Sequence, residues 1–519
     1  DYTLSNNVIT IPASSASGSV TFTVNNALLF GGSKTAILTL SSPSSGIQLG
    51  TMTTQNITIL DDANAAPTIS MNVATTSDFI DGGVTVSPAS PYVLSGVIGD
   101  VTDPAYEYGI YIDVLEDNTI IKEADYIVDI ASNSSTIVNQ SGLIVTKESG
   151  RFLLKIKPAA VGKCTITITV EYHHKSASVE LDYAASEMTS PDYLFHTGIS
   201  DASAAILIND TTMLIGDDET NQLCFFHTRQ SGLPLRKYNY EQYISLSDGL
   251  PDNKKEADIE CCARSILYPS IVYWLGSMSN GGKRFDIENN RNTLFATTFS
   301  ETDKEIAIKC SEAYHELRKQ LISWGNKYGY NLEASAASGQ KPKQLGGFNI
   351  EGLVFGPDST TLYIGFRAPQ VPVSSRNNAL IAPILNFEKW FNEGKPKDKP
   401  TIGKPIEINL NGRGIRDIIR LYDHSYLIIA GNADAVRNAA LYKWTGLEKD
   451  PPIILNIPGI SNLAVEAAVE LMDNGKPTGK IQLICDDGST EWYNDGNAAK
   501  NLDPRFKKFR SKVISLETH

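Results

Sequence analysis

The chain has 519 residues and a formal net charge of −14, so it is too long for one ordinary core and carries a field that repels a phosphate backbone. No basic patch overrides that field and no apolar run reaches the length of a membrane-spanning helix, which excludes nucleic acid as a partner and a transmembrane segment in this chain. Composition also changes along the chain. Up to about residue 190 it is rich in Ser, Thr, Ala, Val and Ile, and all five Trp lie beyond.

Residues 1–64 alternate apolar and polar positions in VITIPA, SVTFTVN, TAILTLSSPSSGIQLG and QNITILDDA, which predicts half-buried strands of a partial β-sandwich. The opening DYTLSNNVITIPA reads as a strand pair entered midway. It implies an export signal and an earlier stretch ahead of it, and so an extracytoplasmic protein, secreted, periplasmic or at the cell surface. After the linker-like ANAAP (63–67), residues 65–188 give about seven short strands with turn signals between them. That pattern predicts an immunoglobulin-like β-sandwich, without the Cys-Trp-Cys spacing of a true immunoglobulin domain. Such a module acts as a spacer or, alternatively, as a carbohydrate platform.

From 189 to 519 a five-fold echo takes over. ISDASAAIL (199–207), ADIECCARS (257–265), NIEGLVF (349–355), GIRDIIRL (414–421) and AVEAAVEL (464–471) are each followed by a second β phrase: TTMLIGDDE, IVYWLGSMSN, TTLYIGFRAP, SYLIIAGNAD and KIQLICDDG. Radially repeated sheets produce this signature, so the expected fold is all-β, two β-sandwich modules followed by a five-bladed β-propeller. An insertion near 311–328 has helical spacing at Tyr314, Leu317, Leu321 and Trp324, which fits a helix packed on the rim or a lid. The last blade is one strand short. DYLFHTG (192–198) is predicted to supply it and close the ring.

Aligning the first strands places Ser203, Glu260, Glu351, Arg416 and Glu466 at one equivalent position. Asp201, Asp258, Asn349, Gly414 and Ala464 lie two residues earlier, and Ala205, Cys262, Leu353, Ile418 and Ala468 two later. These strands line the channel, which gives it a charged mouth and a drier floor. The second strands return antiparallel and bring Asp217, Asp218, Glu219, Ser277, Asn280, Arg367, Asn432, Asp434, Asp486 and Asp487 to the same opening.

Three readings of this constellation stand side by side. Glu260, Glu351 and Glu466 with the nearby Asp residues supply the hard oxygens of a divalent cation site, Ca2+ included. Alternatively, Arg367 and Arg416 neutralise the Glu ring as a structural network. Third, the three Glu serve as acid and base in a hydrolase acting on phosphate esters, lactones or glycosides, which in glycoside chemistry needs carboxyls about 5–9 Å apart. The expected ligand is small and polar or anionic, or a glycan, held by Asp217, Asp218, Asp258, Ser277, Asn349, Arg367, Arg416, Asn432 and Asp486. A purely structural surface module is the remaining class.

Cys164, Cys224, Cys261, Cys262, Cys310 and Cys485 show no CxxC spacing and read as buried thiols, with one or two disulfides as the alternative. His173, His174, His227 and His315 sit in unrelated segments and do not form a triad or a His-rich metal site. There is no GxSxG, HExxH or P-loop.

Several phrases resemble known families. DYTL, SVTFTV, ILTLSSPSSGIQLG and ITILDDA resemble the second half of a Calx-beta repeat. That family binds calcium through acidic residues, but Asn25, Asn26, Gly32, Ser33 and Lys34 stand here, so no calcium is expected in this module. SDASAA, GDDE, KEADIECCAR, YWLGS, NRNTLFAT, NIEGLVF, GFRAP, GRGIRDI and ALYKW together resemble an uncharacterised family of secreted bacterial β-propellers, a domain of unknown function. The NIEGL phrase is also similar to esterase-like phytase and calcium-dependent lactonase propellers, a resemblance that implies a channel role for Glu351. Where the first family carries an SHG-like phrase, this chain has Ser277, Met278 and Ser279.

Overall fold

The computed structural model describes residues 2–24, 34–59, 68–73, 92–100, 102–103, 109–116, 119–122, 125–148, 150–172, 175–243, 256–301, 306–392, 395–396 and 398–516. Asn25, Asn26, Gly32, Ser33, the 63–67 linker, His173 and His174 fall outside them. The chain is all-β with a few short helices. Among the described residues, no helix is long and apolar enough to cross a membrane.

At the N-terminal end, Tyr2–Leu4 pairs with Phe22–Val24, and Lys34–Thr39 with Thr54–Ile59. Beyond residue 67, two sheets face each other. One runs Leu143–Glu148, Arg151–Ile156, Ile110–Glu116, Thr68–Val73; the other runs Tyr92–Ile98, Lys175–Glu187, Gly162–Tyr172, Tyr126–Ser132. In Gly162–Tyr172 the period-two pattern buries Cys164, Ile166, Ile168 and Val170, which meet Ile112, Val114, Leu154 and Ile156 of the opposite sheet.

Among the described residues, the remainder forms two short two-stranded ribbons and five larger sheets. Their innermost strands are Ala202–Asn209, Ile259–Arg264, Asn349–Phe355, Gly414–Arg420 and Val465–Asp473, one for each of the five echoed phrases. Each pairs antiparallel with the strand that follows it, Thr212–Asp217 in the first sheet and Tyr426–Gly431 in the fourth, for example. Those two second strands are buried along their whole length because both faces of a sheet pack on neighbouring sheets. Five apolar clusters lie one between each adjacent pair. Phe225 meets Trp274, Leu275 meets Ile364, Ile381 meets Ile428, Ile429 meets Leu483, and Ile484 meets Ile215, which closes a ring.

The closing strand is the predicted one. Tyr193–Thr197 pairs antiparallel with Lys508–Ser515 as the outer strand of the fifth sheet, so the two ends of the repeat array share one sheet and cover its edge. The two-sheet unit docks on this closure. Lys508 Nζ donates to the Gly96 carbonyl (3.0 Å) and to Ser186 Oγ (2.8 Å), and Ser231 Oγ donates to Asp100.

The insertion forms a helix at Leu317–Lys327 whose Leu317, Leu321 and Trp324 pack into the core between the second and third sheets. Tyr314 lies before the helix and bridges to Leu294 instead. Arg318, also buried, donates to the Met278 carbonyl (2.9 Å) and to Asn280 Oδ1 (2.8 Å), which ties the helix to the loop after the second strand. All six cysteines are buried free thiols.

Candidate functional site

Each innermost strand carries a β-bulge near its start. The pairing skips from Ala202 to Ala204, Ile259 to Cys261, Ile350 to Gly352, Ile415 to Asp417 and Val465 to Ala467. The extra residue is Ser203, Glu260, Glu351, Arg416 or Glu466, the position equated across the five sequence repeats. A bulge leaves one residue out of the ladder and re-aims it, so five equivalent side chains are released from strand pairing at one end of the ring.

Two electrostatic halves result. In the first, Glu351 Oε1 accepts from Arg367 Nη1 (2.8 Å) and Asn349 Nδ2 (3.0 Å), while Oε2 lies 3.0 Å from Arg416 Nε. Arg416 also donates to both oxygens of Glu466, with Nε to Oε2 at 2.7 Å. Arg367 is fixed further by the carbonyls of Ala433 (3.0 Å) and Asp434 (2.7 Å). A side chain at Gly414 would collide with the Arg367 backbone, so glycine there permits this close approach. Two arginines balance two glutamates, and the pair of cations holds the Glu351 carboxyl below its usual range against the opposing effect of burial.

The second half has an excess of negative charge. Carboxylate oxygens of Asp218, Asp258 and Glu260 lie within 4.8 Å of one another. Asp258 is in the left-handed backbone region (φ 52°), accepts from Ser277 Oγ and pairs with Arg291 Nη1 (3.2 Å), while Arg291 Nη2 pairs with Glu256 (3.0 Å). Asp218 Oδ1 is buried without a hydrogen-bond partner among the described residues. Burial first, then the neighbouring carboxylates, push Asp218 and Glu260 well above the usual range. Asp486 is raised by burial, and Asp201 by burial and Asp486, to about 6. The exposed Lys343 is a nearby cation that partly offsets Glu260 and Asp486.

The other expected residues divide. Ser277 belongs to the acidic half through Asp258 and also bonds Ser279 Oγ (2.9 Å). Asn349 belongs to the ion-pair half. Asp217 is buried, accepts from Thr220 Oγ1 (2.6 Å) and is pushed by burial to about 7. Asn432 accepts from Asn438 Nδ2 (3.2 Å), and Asn280 is held by Arg318 and the Ala337 carbonyl (2.6 Å). Asp487 turns to the third strand of its sheet, Lys508–Ser515, where Arg510 grips both its oxygens. Glu219 is exposed, 3.8 Å from Lys500. His227 Nδ1 accepts from the Arg229 amide (3.0 Å), and His315 Nδ1 lies 3.1 Å from the Asn292 carbonyl. Sequence reasoning missed Arg291, which ends a short 3-10 helix, Asn289–Arg291, outside the aligned repeat phrases. It also missed Asp417, a buried acid that accepts from the Ile418 (2.7 Å) and Ala468 (3.1 Å) amides.

Residues 340–465 match a family described as "Protein of unknown function (DUF3616)". This stretch holds Asn349, Glu351, Arg367 and Arg416 but not Asp218, Asp258 or Glu260. A comparison with curated proteins finds no match. Among solved structures, virginiamycin B lyase from Staphylococcus aureus is similar at 9% identity and a TM-score of 0.24, over 75% of this chain and 99% of that one. A protein of unknown function from Dyadobacter fermentans is similar at 10% identity and a TM-score of 0.31, over 68% and 91%. A DUF4784 family protein from Bacteroides caccae is similar at 8% identity and a TM-score of 0.21, over 86% and 99%.

Proposed function

We propose that the mouth of the ring binds a divalent cation through Asp218, Asp258 and Glu260, and that the cation, with Lys343 beside it, receives a small polar or anionic ligand. The observation that carries this reading is the buried, unpartnered Asp218 Oδ1 in a group of three mutually close carboxylates. A buried acceptor without a donor is costly, and crowded carboxylates that burial disfavours are stabilised by a hard cation. Glu351 and Glu466 are then framework, fixed by Arg367 and Arg416, with Glu351 on the strand next to the one that carries Glu260.

The five-sheet ring is read here as a five-bladed β-propeller spanning 189–519, preceded by an immunoglobulin-like sandwich at 65–188 and a partial Calx-beta-like module at 1–64, in an exported protein. A hydrolase remains the second reading. It is favoured by one contrast, the raised Glu260 carboxyl beside the lowered Glu351, which is how an acid and an ionised partner are kept apart in one site.

The test is thermal melting of the chelated full chain with and without Ca2+, Mg2+ or Mn2+. A cation that binds only the folded state at about 100 times its Kd adds about 2.7 kcal/mol. The expected result is an upward shift with at least one of these ions that Glu260→Gln abolishes. No shift with any of the three rejects the cation reading, and a shift retained by Glu260→Gln moves the ion elsewhere.

A further inference from the structure

We propose that the opposite end of the ring holds a second site, an apolar cavity that takes a small anionic amphiphile, an alkyl or aryl carboxylate or sulfonate. The downstream halves of all five innermost strands surround a cavity of about 620 Å3, within the roughly 300–1,000 Å3 typical of small-molecule sites. Ala205 and Ala468 on adjacent strands leave room that Leu353 and Ile418 occupy elsewhere around the wall.

The charge at this end is opposite to that at the mouth. Arg264 and Arg420 line the cavity, and Glu470 is the one carboxyl among its lining residues. Among the described residues Arg264 donates to neutral acceptors, the carbonyls of Leu207 and Pro269 (2.5 Å each). Arg420 Nη1 donates to Ser359 Oγ (3.0 Å), and its Nε is buried with no hydrogen-bond partner among the described residues. Glu470 accepts instead from a backbone amide, that of Tyr422 (2.7 Å). An anionic head would pair with the charge of the Arg420 guanidinium while an apolar body fills the cavity. Tyr422, 59% exposed, and Ile266, 41% exposed, extend the apolar lining to the rim.

The experiment titrates the full chain with 1-anilinonaphthalene-8-sulfonate and with its uncharged parent, N-phenyl-1-naphthylamine, by fluorescence. One saturable site for the sulfonate is expected. Ala468→Phe fills the cavity and abolishes it. Arg420→Gln lowers sulfonate affinity about tenfold and leaves the neutral probe unchanged, as loss of one charged hydrogen bond predicts. Absence of saturable sulfonate binding in the wild type, or unchanged binding by folded Ala468→Phe, overturns the proposal. If Ala468→Phe does not fold, Arg420→Gln decides, and equal effects on both probes, or none on either, overturn it.

Discussion

Glu351→Gln lowers the stability of the metal-free protein by about 3–5 kcal/mol, the range for removing one partner of a buried ion pair. Glu351 is 1% exposed and Arg367 3%, so water does not replace the lost charge. The substitution leaves Arg367 and Arg416 facing each other with Glu466 as the remaining ion-pair partner of Arg416, and it turns an amide donor toward one of the two guanidinium groups. Glu260→Gln has the opposite sign. It removes a charge from beside Asp218 and Asp258, so metal-free stability stays unchanged or rises. Urea unfolding followed by Trp fluorescence in chelator separates the two. Equal losses in both variants would contradict the division of the mouth into an ion-paired half and an acidic half.

Without metal, the protein is more stable at pH 5 than at pH 7. A carboxyl whose folded pKa lies above its unfolded value binds more protons when folded, so stability falls as pH rises through that interval. Burial raises Asp201 to about 6, Asp217 to about 7 and Asp417 to about 8. Asp218, Glu260 and Asp486 are raised as well. His196 opposes them: burial lowers it to about 3, so it loses stability as pH falls through the same region. The buried Lys508, lowered by burial to about 7, opposes them as well near pH 7, so two bases act against six carboxyls, and the net slope is downward. Below about pH 4 the direction reverses, because Glu351 and Asp423, the latter lowered to about 2, must be protonated out of their ion pairs and hydrogen bonds. The urea midpoint in chelator is expected to fall from pH 5 to pH 7. Saturating cation at pH 7 restores the part due to Asp218 and Glu260. A midpoint that rises with pH in chelator would contradict these assignments.

Much of this was legible in the repeats. The five echoed phrases mark the five innermost strands, and one alignment column holds the five bulged residues. The closing strand at Tyr193–Thr197 followed from counting strands in the last repeat. The division of that column into two halves was not legible. It depends on which arginine lies beside which glutamate around the ring, and Arg416 reaches both Glu351 and Glu466 across two strand boundaries. Asp487 and Asp486 look equivalent in sequence, yet adjacent residues face opposite ways, and Arg510 captures the former. The cavity at the far end was foreshadowed by the apolar column from Ala205 to Ala468, but the arginines at its edge were not, because Arg264 is held by backbone carbonyls and Arg420 by Ser359 of a distant turn, partners that leave no trace in the repeat alignment.

The central claim is that Asp218, Asp258 and Glu260 hold a divalent cation. Anomalous diffraction from crystals of the full chain soaked in Mn2+ tests it directly. The account predicts a peak bounded by these three carboxylates. A peak elsewhere, or none at a Mn2+ concentration that raises the melting temperature, would contradict it.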